Sequence, residues 1–353
     1  MRCIFIGSTG GEPGQTLTTW ALAVRLREKG LRVGFFKPYG LLPEGGVFPE
    51  AGACDPDVLL LRKVLDLSDP EEVLCPIALP ENFSPENTGN LGEQMLAKIQ
   101  KAFREVSLNR DVVLIMGAKE IFFGGSGPGL SDSHLVKSFD TSVLLVDRYQ
   151  RDNLTFYSLL SLNSFLDGRV KTAILNHVAP DRLDHVKTKV IPFLKGKGLQ
   201  SVVAVPEDPV LAGLTLSAIA EFIGGEILCC PELGENLVHT STIGSAFLEG
   251  SLAIFKQVYN KVILLGLDPL KTGKKPVMGI ILTGGKAPSE LVRKVAQDRC
   301  IPLLLTRMDT FQVMDRLEKA QPALRPDDEF KVRQFLKLID QEMGPSRWVE
   351  DLL

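Results

Sequence analysis

Six short apolar runs, at 3–7, 33–37, 112–116, 143–147, 172–176 and 201–205, alternate with longer amphipathic stretches over the first two hundred residues. The runs do not alternate with polar residues, as expected of strands buried on both faces. Helical patterns fall between them at 18–29, 57–65, 90–104, 154–166 and 181–197. Strand and helix in alternation predict a doubly wound, mainly parallel sheet with helices on both faces and strand 3–7 at its centre. In such sheets ligands sit beyond the carboxyl ends of strands, so the residues following each strand are read most closely. The pattern restarts after about residue 210 with a smaller α/β unit. There, strands are expected at 226–230, 262–265, 279–282 and 302–306, and helices at 215–222, 243–259, 289–297 and 310–319. A final helix, 328–343, leads to a short tail. The expected division is 1–212, 213–325 and 326–353, with no Gly/Ser/Pro-rich spacer near Ala212.

Composition removes several classes of function. The net charge of −3 comes with no basic block, which argues against a nucleic-acid or anionic-membrane partner. Hydrophobic residues at 44% and charged residues at 24% fit a globular chain. Six scattered cysteines without a CxxC pair, and only four histidines, suggest neither a zinc site nor a disulfide framework. The vicinal Cys229-Cys230 reads as a buried strand end, with a redox role as the alternative. The N-terminus reads as a strand, no apolar run reaches ~18 residues, and a cytoplasmic protein is expected.

The first strand opens into Gly7-Ser8-Thr9-Gly10-Gly11-Glu12-Pro13-Gly14-Gln15-Thr16, followed by a helix. A strand, a glycine-rich turn and a helix N-terminus aim backbone N–H groups at an anion, in the shape of a phosphate-binding loop. Such a loop ordinarily carries lysine before its last Thr, to reach the β- and γ-phosphates. Here the residue is Gln15, which can hydrogen-bond but brings no charge.

The first domain resembles dethiobiotin synthetase, and more closely the amino-terminal region of long-form bacterial phosphotransacetylases. Thr9 through Thr16 match the family loop in length. The second domain resembles the DRTGG domain, with Ile281-Leu282-Thr283-Gly284-Gly285 at the naming motif. The resemblance implies a P-loop NTPase fold of the dethiobiotin synthetase type. It implies nucleotide or anion contacts by Thr9, Gly10, Gly11, Glu12, Gly14, Gln15, Thr16 and Lys37, and adenine contacts by Asn176 and the segment at Pro206. It also implies magnesium ligation by Thr16 and Asp55. Against the family pattern, Gln15 replaces lysine and Met116 replaces a carboxylate that would help hold the metal. Loss of both elements implies weak phosphoryl transfer.

Plainer readings stand beside these. The glycines can form an ordinary turn, Lys37 can snorkel at a strand end, and Asp55 before Pro56 is a good helix cap. Asn176 can satisfy loop backbone groups, and Thr283-Gly284-Gly285 can be a tight turn rather than a ligand site. The glycine-rich stretch 122–129 reads as a lid or as a plain crossover. The resemblance implies a sensor that binds a nucleotide, such as ATP with Mg, or a small anionic metabolite. It further implies a homodimer and, as partner, a separately encoded phosphotransacetylase. The alternative is an ATP-dependent carboxylate-activating synthetase or ligase of the dethiobiotin synthetase or cobyrinic acid diamide synthase type, in which Lys37 takes the place of the missing lysine.

Overall fold

The computed structural model describes residues 1–10, 14–42, 55–80, 91–118, 120–121, 130–243, 248, 255–256, 258, 260–266, 276–319, 324–344 and 347–353. Its first strand, β1 (Arg2–Ser8), runs into α1 (Gln15–Glu28), then β2 (Val33–Phe36). A short parallel pair follows, β3 (Gly40–Leu42) and β4 (Ala78–Pro80), between which lie α2 (Pro56–Val64) and α3 (Glu71–Leu74). The chain continues through α4 (Leu91–Val106), β5 (Val112–Met116), α5 (Asp132–Ser138), β6 (Ser142–Arg148), α6 (Asp152–Phe165) and β7 (Val170–Val178). After α7 (Leu183–His185) and α8 (Ile191–Gly196) comes β8 (Ser201–Pro206).

Six of these strands form one parallel sheet in the order β2-β5-β1-β6-β7-β8. The apolar strands are central, as their composition requires: every residue of β5 is buried, and so are Ile4, Phe5 and Ile6 of β1. β1 lies between β5 and β6, so the turn that leaves it opens over the carboxyl ends of three strands. That is where an open α/β sheet places a ligand. The helix expected at 181–197 is interrupted by a π-helical turn, Val186–Val190, just ahead of Pro192. Proline has no N–H for the helical ladder, and the wider turn absorbs that loss. The stretch 122–129 lies outside the described residues, as does most of 243–259.

The second compact unit spans Asp208–Ala323. It contains α9 (Pro209–Ala212), β9 (Leu214–Thr215), α10 (Leu216–Phe222), β10 (Glu226–Cys229), β11 (Leu237–Val238) and β12 (Thr240–Thr242). The unit continues with β13 (Lys261–Leu265), β14 (Val277–Leu282), α11 (Glu290–Asp298), β15 (Leu303–Leu305) and α12 (Thr310–Lys319). Its five-stranded sheet has the order β10-β15-β14-β13-β12, with only β14 and β15 parallel. Cys229 and Cys230 are buried free thiols in the core beside Ile301 and Leu303, at the end of β10.

The first unit comprises Met1–Glu207 together with Leu324–Leu353. Helix α13 (Glu329–Met343) packs on α1 and β8, and α14 (Arg347–Glu350) packs on α1. Phe335, Ile339, Trp348 and Val349 are fully buried there. Among the described residues, no helix is long and apolar enough to cross a membrane.

Candidate functional site

Gly14 sets the entry of α1. Its φ of +96° is in the left-handed region, and its place at the helix N-cap leaves the first N–H groups without a side-chain cap. No acidic residue occupies the first turn, so nothing built into the helix opposes an anion there. A Cβ on Gly14 would stand 2.7 Å from Asn176 Nδ2, which seats the end of β7 directly against the loop. Gly14→Ala is therefore expected to lose about 1–2 kcal/mol, from a strained φ and the close contact together. Thermal melts check this, and in Gly14→Ala/Asn176→Ala the loss should be smaller than the sum of the single losses. Additive losses would break the proposed contact. Gly11 and Glu12 lie outside the described residues.

Gln15 turns away from the loop. Its buried amide Nε2 donates to Ile6 O at 2.8 Å and to Gly117 O at 3.2 Å, bridging the carboxyl ends of β1 and β5. The position that would present a lysine to phosphate thus holds two strand ends together. Met116, which stands where the family pattern has a carboxylate, is buried at the end of β5.

A positive charge lies one residue beyond β2, at Lys37. Its Nζ lies 2.8 Å from Asp55 Oδ1 and 2.8 Å from Asp57 Oδ2. Burial lowers the ammonium's pKa, but Asp57 and Asp55 outweigh burial and hold it above the ordinary lysine value. Asp55 is both cap and ion-pair partner: its Oδ1 also accepts the Asp57 N–H at 2.9 Å, and Pro56 begins α2. The residue that reaches the loop is Asp57, whose Oδ1 accepts the Thr16 hydroxyl at 2.8 Å. The sequence pattern brings Asp55 forward rather than Asp57, although an acid two positions past a cap lies in the first helical turn. Thr16 and Asp57 could jointly hold a divalent cation. Among the described residues, no group of three or more His, Cys, Asp or Glu is placed to hold a metal.

Two more buried acids lie at the strand ends, one of them in contact with the loop. Asp147, near the end of β6, accepts hydrogen bonds from the hydroxyls of Thr9 and Thr155. Burial pushes its pKa above the ordinary aspartate value against those two bonds. Asp132, the first residue of α5, accepts from Tyr39 Oη at 2.6 Å and from the Ala118 N–H at 3.0 Å. It is fully buried, which raises its pKa to about 6 despite both hydrogen bonds and Lys37. Neither acid was singled out from the sequence, because their partners lie far away along the chain.

Asn176 is buried at the end of β7 and its Oδ1 accepts the next residue's N–H, while Pro206 is half-buried at the end of β8. In the second unit Thr283, Gly284 and Gly285 form a turn with φ of +80° and +69° at the two glycines. Their backbone donors are already engaged: Thr283 N to Asn260 O, Gly284 N to Met308 O and Gly285 N to Thr306 O. Thr283 Oγ1 also meets Thr310 Oγ1 at 2.7 Å. The turn fastens two strand ends.

Parallel sheet, strand-to-helix loop and strand-end residues define a P-loop α/β protein of the dethiobiotin-synthetase type, with a modified loop. The chain belongs to the AAA domain family, whose profile matches residues 2–230, and a DRTGG domain matches residues 218–320. The order of domains is that of the amino-terminal region of long-form phosphotransacetylase. Phosphate acetyltransferase of Synechocystis sp. is 21% identical over 362 residues, covering 98% of this chain and 51% of that protein. The Pseudomonas putida phosphate acetyltransferase is 22% identical, over 93% of this chain and 48% of that one. The ATP-dependent dethiobiotin synthetase of Nitrosopumilus maritimus is 29% identical over 42% of this chain and 64% of its own length. The chain thus spans about half the length of the curated phosphate acetyltransferases it matches along nearly all of its own length.

Proposed function

We propose that this protein is a regulatory sensor. It binds a nucleotide or a small anionic metabolite at the loop, with magnesium at Thr16 and an Asp of the α2 head, and does not hydrolyse ATP efficiently. Its setting is acetyl-phosphate and acetyl-CoA metabolism, with a separately encoded phosphotransacetylase as partner and a homodimer as its assembly. The observation that carries this reading is the Gln15 amide, tied to Ile6 O and Gly117 O instead of facing the loop. An uncapped helix N-terminus favours anion binding, while the missing loop cation disfavours transfer. Hydrolysis of ATP with magnesium is expected to stay at background. Gln15→Lys should tighten triphosphate binding roughly ten- to a hundredfold, the worth of one charge-assisted hydrogen bond. Isothermal titration across nucleotides and central metabolites tests the binding; light scattering tests the dimer, and a monomeric mass at micromolar concentration would reject it.

The synthetase or ligase reading is favoured by one observation. Lys37, Asp57 and Thr16 are linked in a single chain of contacts, as a working site would need. Robust wild-type turnover that disappears in Lys37→Ala would establish that reading and remove the sensor.

A further inference from the structure

Asp132 has no role in the anion-binding reading above, yet it is joined to the loop through the backbone after β5 and to the Lys37 segment through Tyr39. On one side Oδ2 is pressed against the backbone that follows β5: it accepts the Ala118 N–H, and a Cβ on Gly117 would lie 2.6 Å from it. The carbonyl of that same Gly117 receives the Gln15 amide. On the other side Oδ1 accepts the hydroxyl of Tyr39, two residues beyond Lys37. Among the described residues, the groups that face this carboxylate are few. They are Tyr39 from the segment after β2, the neutral backbone of Gly117 and Ala118, the apolar ring of Phe5 from β1, and Lys37 by charge alone. Its own helix adds Ser131, Ser133 and the exposed His134, with the first two bonded to each other. Lys37 is in turn held by Asp55 and Asp57, so among the described residues the charge nearest this carboxylate is already shared between two other acids.

A phosphate group entering the loop adds negative charge and draws on the Lys37 ammonium. Both effects disfavour a charged carboxylate packed behind Gly117 and Tyr39. We propose that the loop takes up its phosphate-bearing ligand together with a proton, and that Asp132 receives the proton. This rests on the anion-binding reading of the loop. The proton bonds to Oδ1, and the Tyr39 oxygen turns from donor to acceptor, while Oδ2 keeps the Ala118 N–H. The proton comes from solvent, and the phenol hydrogen of Tyr39 gives up its bond to Oδ1 as the ring oxygen accepts the new one. Because the free carboxyl titrates at about 6, the uptake falls in the neutral range. Proton uptake ties ligand affinity to pH by linkage: affinity is highest in acid and declines as pH rises through the bound-state pKa.

The test is isothermal titration of the full chain with Mg-ADP and with inorganic pyrophosphate, at pH 7 in buffers of different ionisation enthalpy, and again at pH 6 and pH 8. In the wild type, the observed enthalpy should vary with buffer ionisation enthalpy in the sense of proton uptake. Affinity should fall about fivefold from pH 6 to pH 8 if the carboxyl's pKa rises by about one unit on binding. In Asp132→Asn the buffer dependence should drop to what the probe itself contributes. Tyr39→Phe removes a donor that favours the charged form, so the decline in affinity should move to higher pH; this second variant serves if Asp132→Asn fails to fold. Binding with the same buffer dependence in wild type and Asp132→Asn would overturn the coupling and leave the anion site standing. Failure of both probes to bind at pH 6 and at pH 8 would defeat the anion-binding reading and this inference with it.

Discussion

Replacing Lys37 with methionine is expected to destabilise the first unit by about 3 kcal/mol, because it leaves Asp55 and Asp57 facing each other without their cation. Removing one partner of a buried ion pair costs about 3–5 kcal/mol. The lower end applies here because the Asp57 side chain is 31% exposed and retains the Thr16 hydroxyl. In a unit of this size a loss of that order lowers the melting temperature by roughly 6–12 °C. Two effects are mixed in this number, lost packing of the lysine stem and uncompensated charge, and a second substitution separates them. Lys37→Met with Asp55→Asn should be more stable than Lys37→Met alone, since one of the two stranded charges is gone. Affinity for phosphate-bearing ligands should fall in both variants by at least about tenfold, because one charge-assisted hydrogen bond is worth about 1.5–3 kcal/mol. Equal melting temperatures for the wild type and Lys37→Met would show that the buried triad contributes nothing to stability. Unchanged pyrophosphate binding in Lys37→Met would remove Lys37 from the site.

The fold was readable because its strands are long enough, and apolar enough on both faces, to be nothing else. Val112–Met116 has the same bounds in sequence and structure, and strand 3–7 is central as its composition demands. The pair β3 and β4 was not readable, since three residues each carry no periodicity. The resemblance brought Thr16, Lys37, Asp55 and Asn176 into consideration, but it says where residues lie and not where side chains point. Gln15 could be seen to lack charge; that its amide bridges two carbonyls 9 and 102 positions away could not. The Tyr39–Asp132 bond joins residues 93 apart, and the Thr9–Asp147 bond residues 138 apart. Contacts of that kind are set by how strands are ordered in the sheet, which local pattern does not encode.

Trp348→Ala is the second large effect expected. The final helix was readable as 328–343, but its partners were not, and they are β8 and α1, the helix that begins at the glycine-rich loop. Val332, Phe335 and Ile339 of α13 are buried, as are Trp348, Val349 and Leu352 of the last segment. Salt bridges from Arg25 to Asp340, Lys29 to Glu350 and Lys187 to Glu342 border this contact. Most of these are exposed enough to add little, so apolar burial carries the attachment. Truncating a fully buried tryptophan to alanine costs about 3–5 kcal/mol, or a melting temperature lower by roughly 6–20 °C in a unit of this size. Trp348→Phe should cost much less, because the indole N–H has no hydrogen-bond partner among the described residues and only volume is lost. Removing residues 324–353 altogether uncovers the same faces of α1 and β8, and the remaining first unit should then unfold or aggregate at temperatures where the full chain is native. If the last thirty residues were instead an independent appendage, both Trp348→Ala and the deletion would leave the melting of residues 1–207 where it was. That outcome would also detach α1, and with it the loop, from any influence exerted through the C-terminal segment.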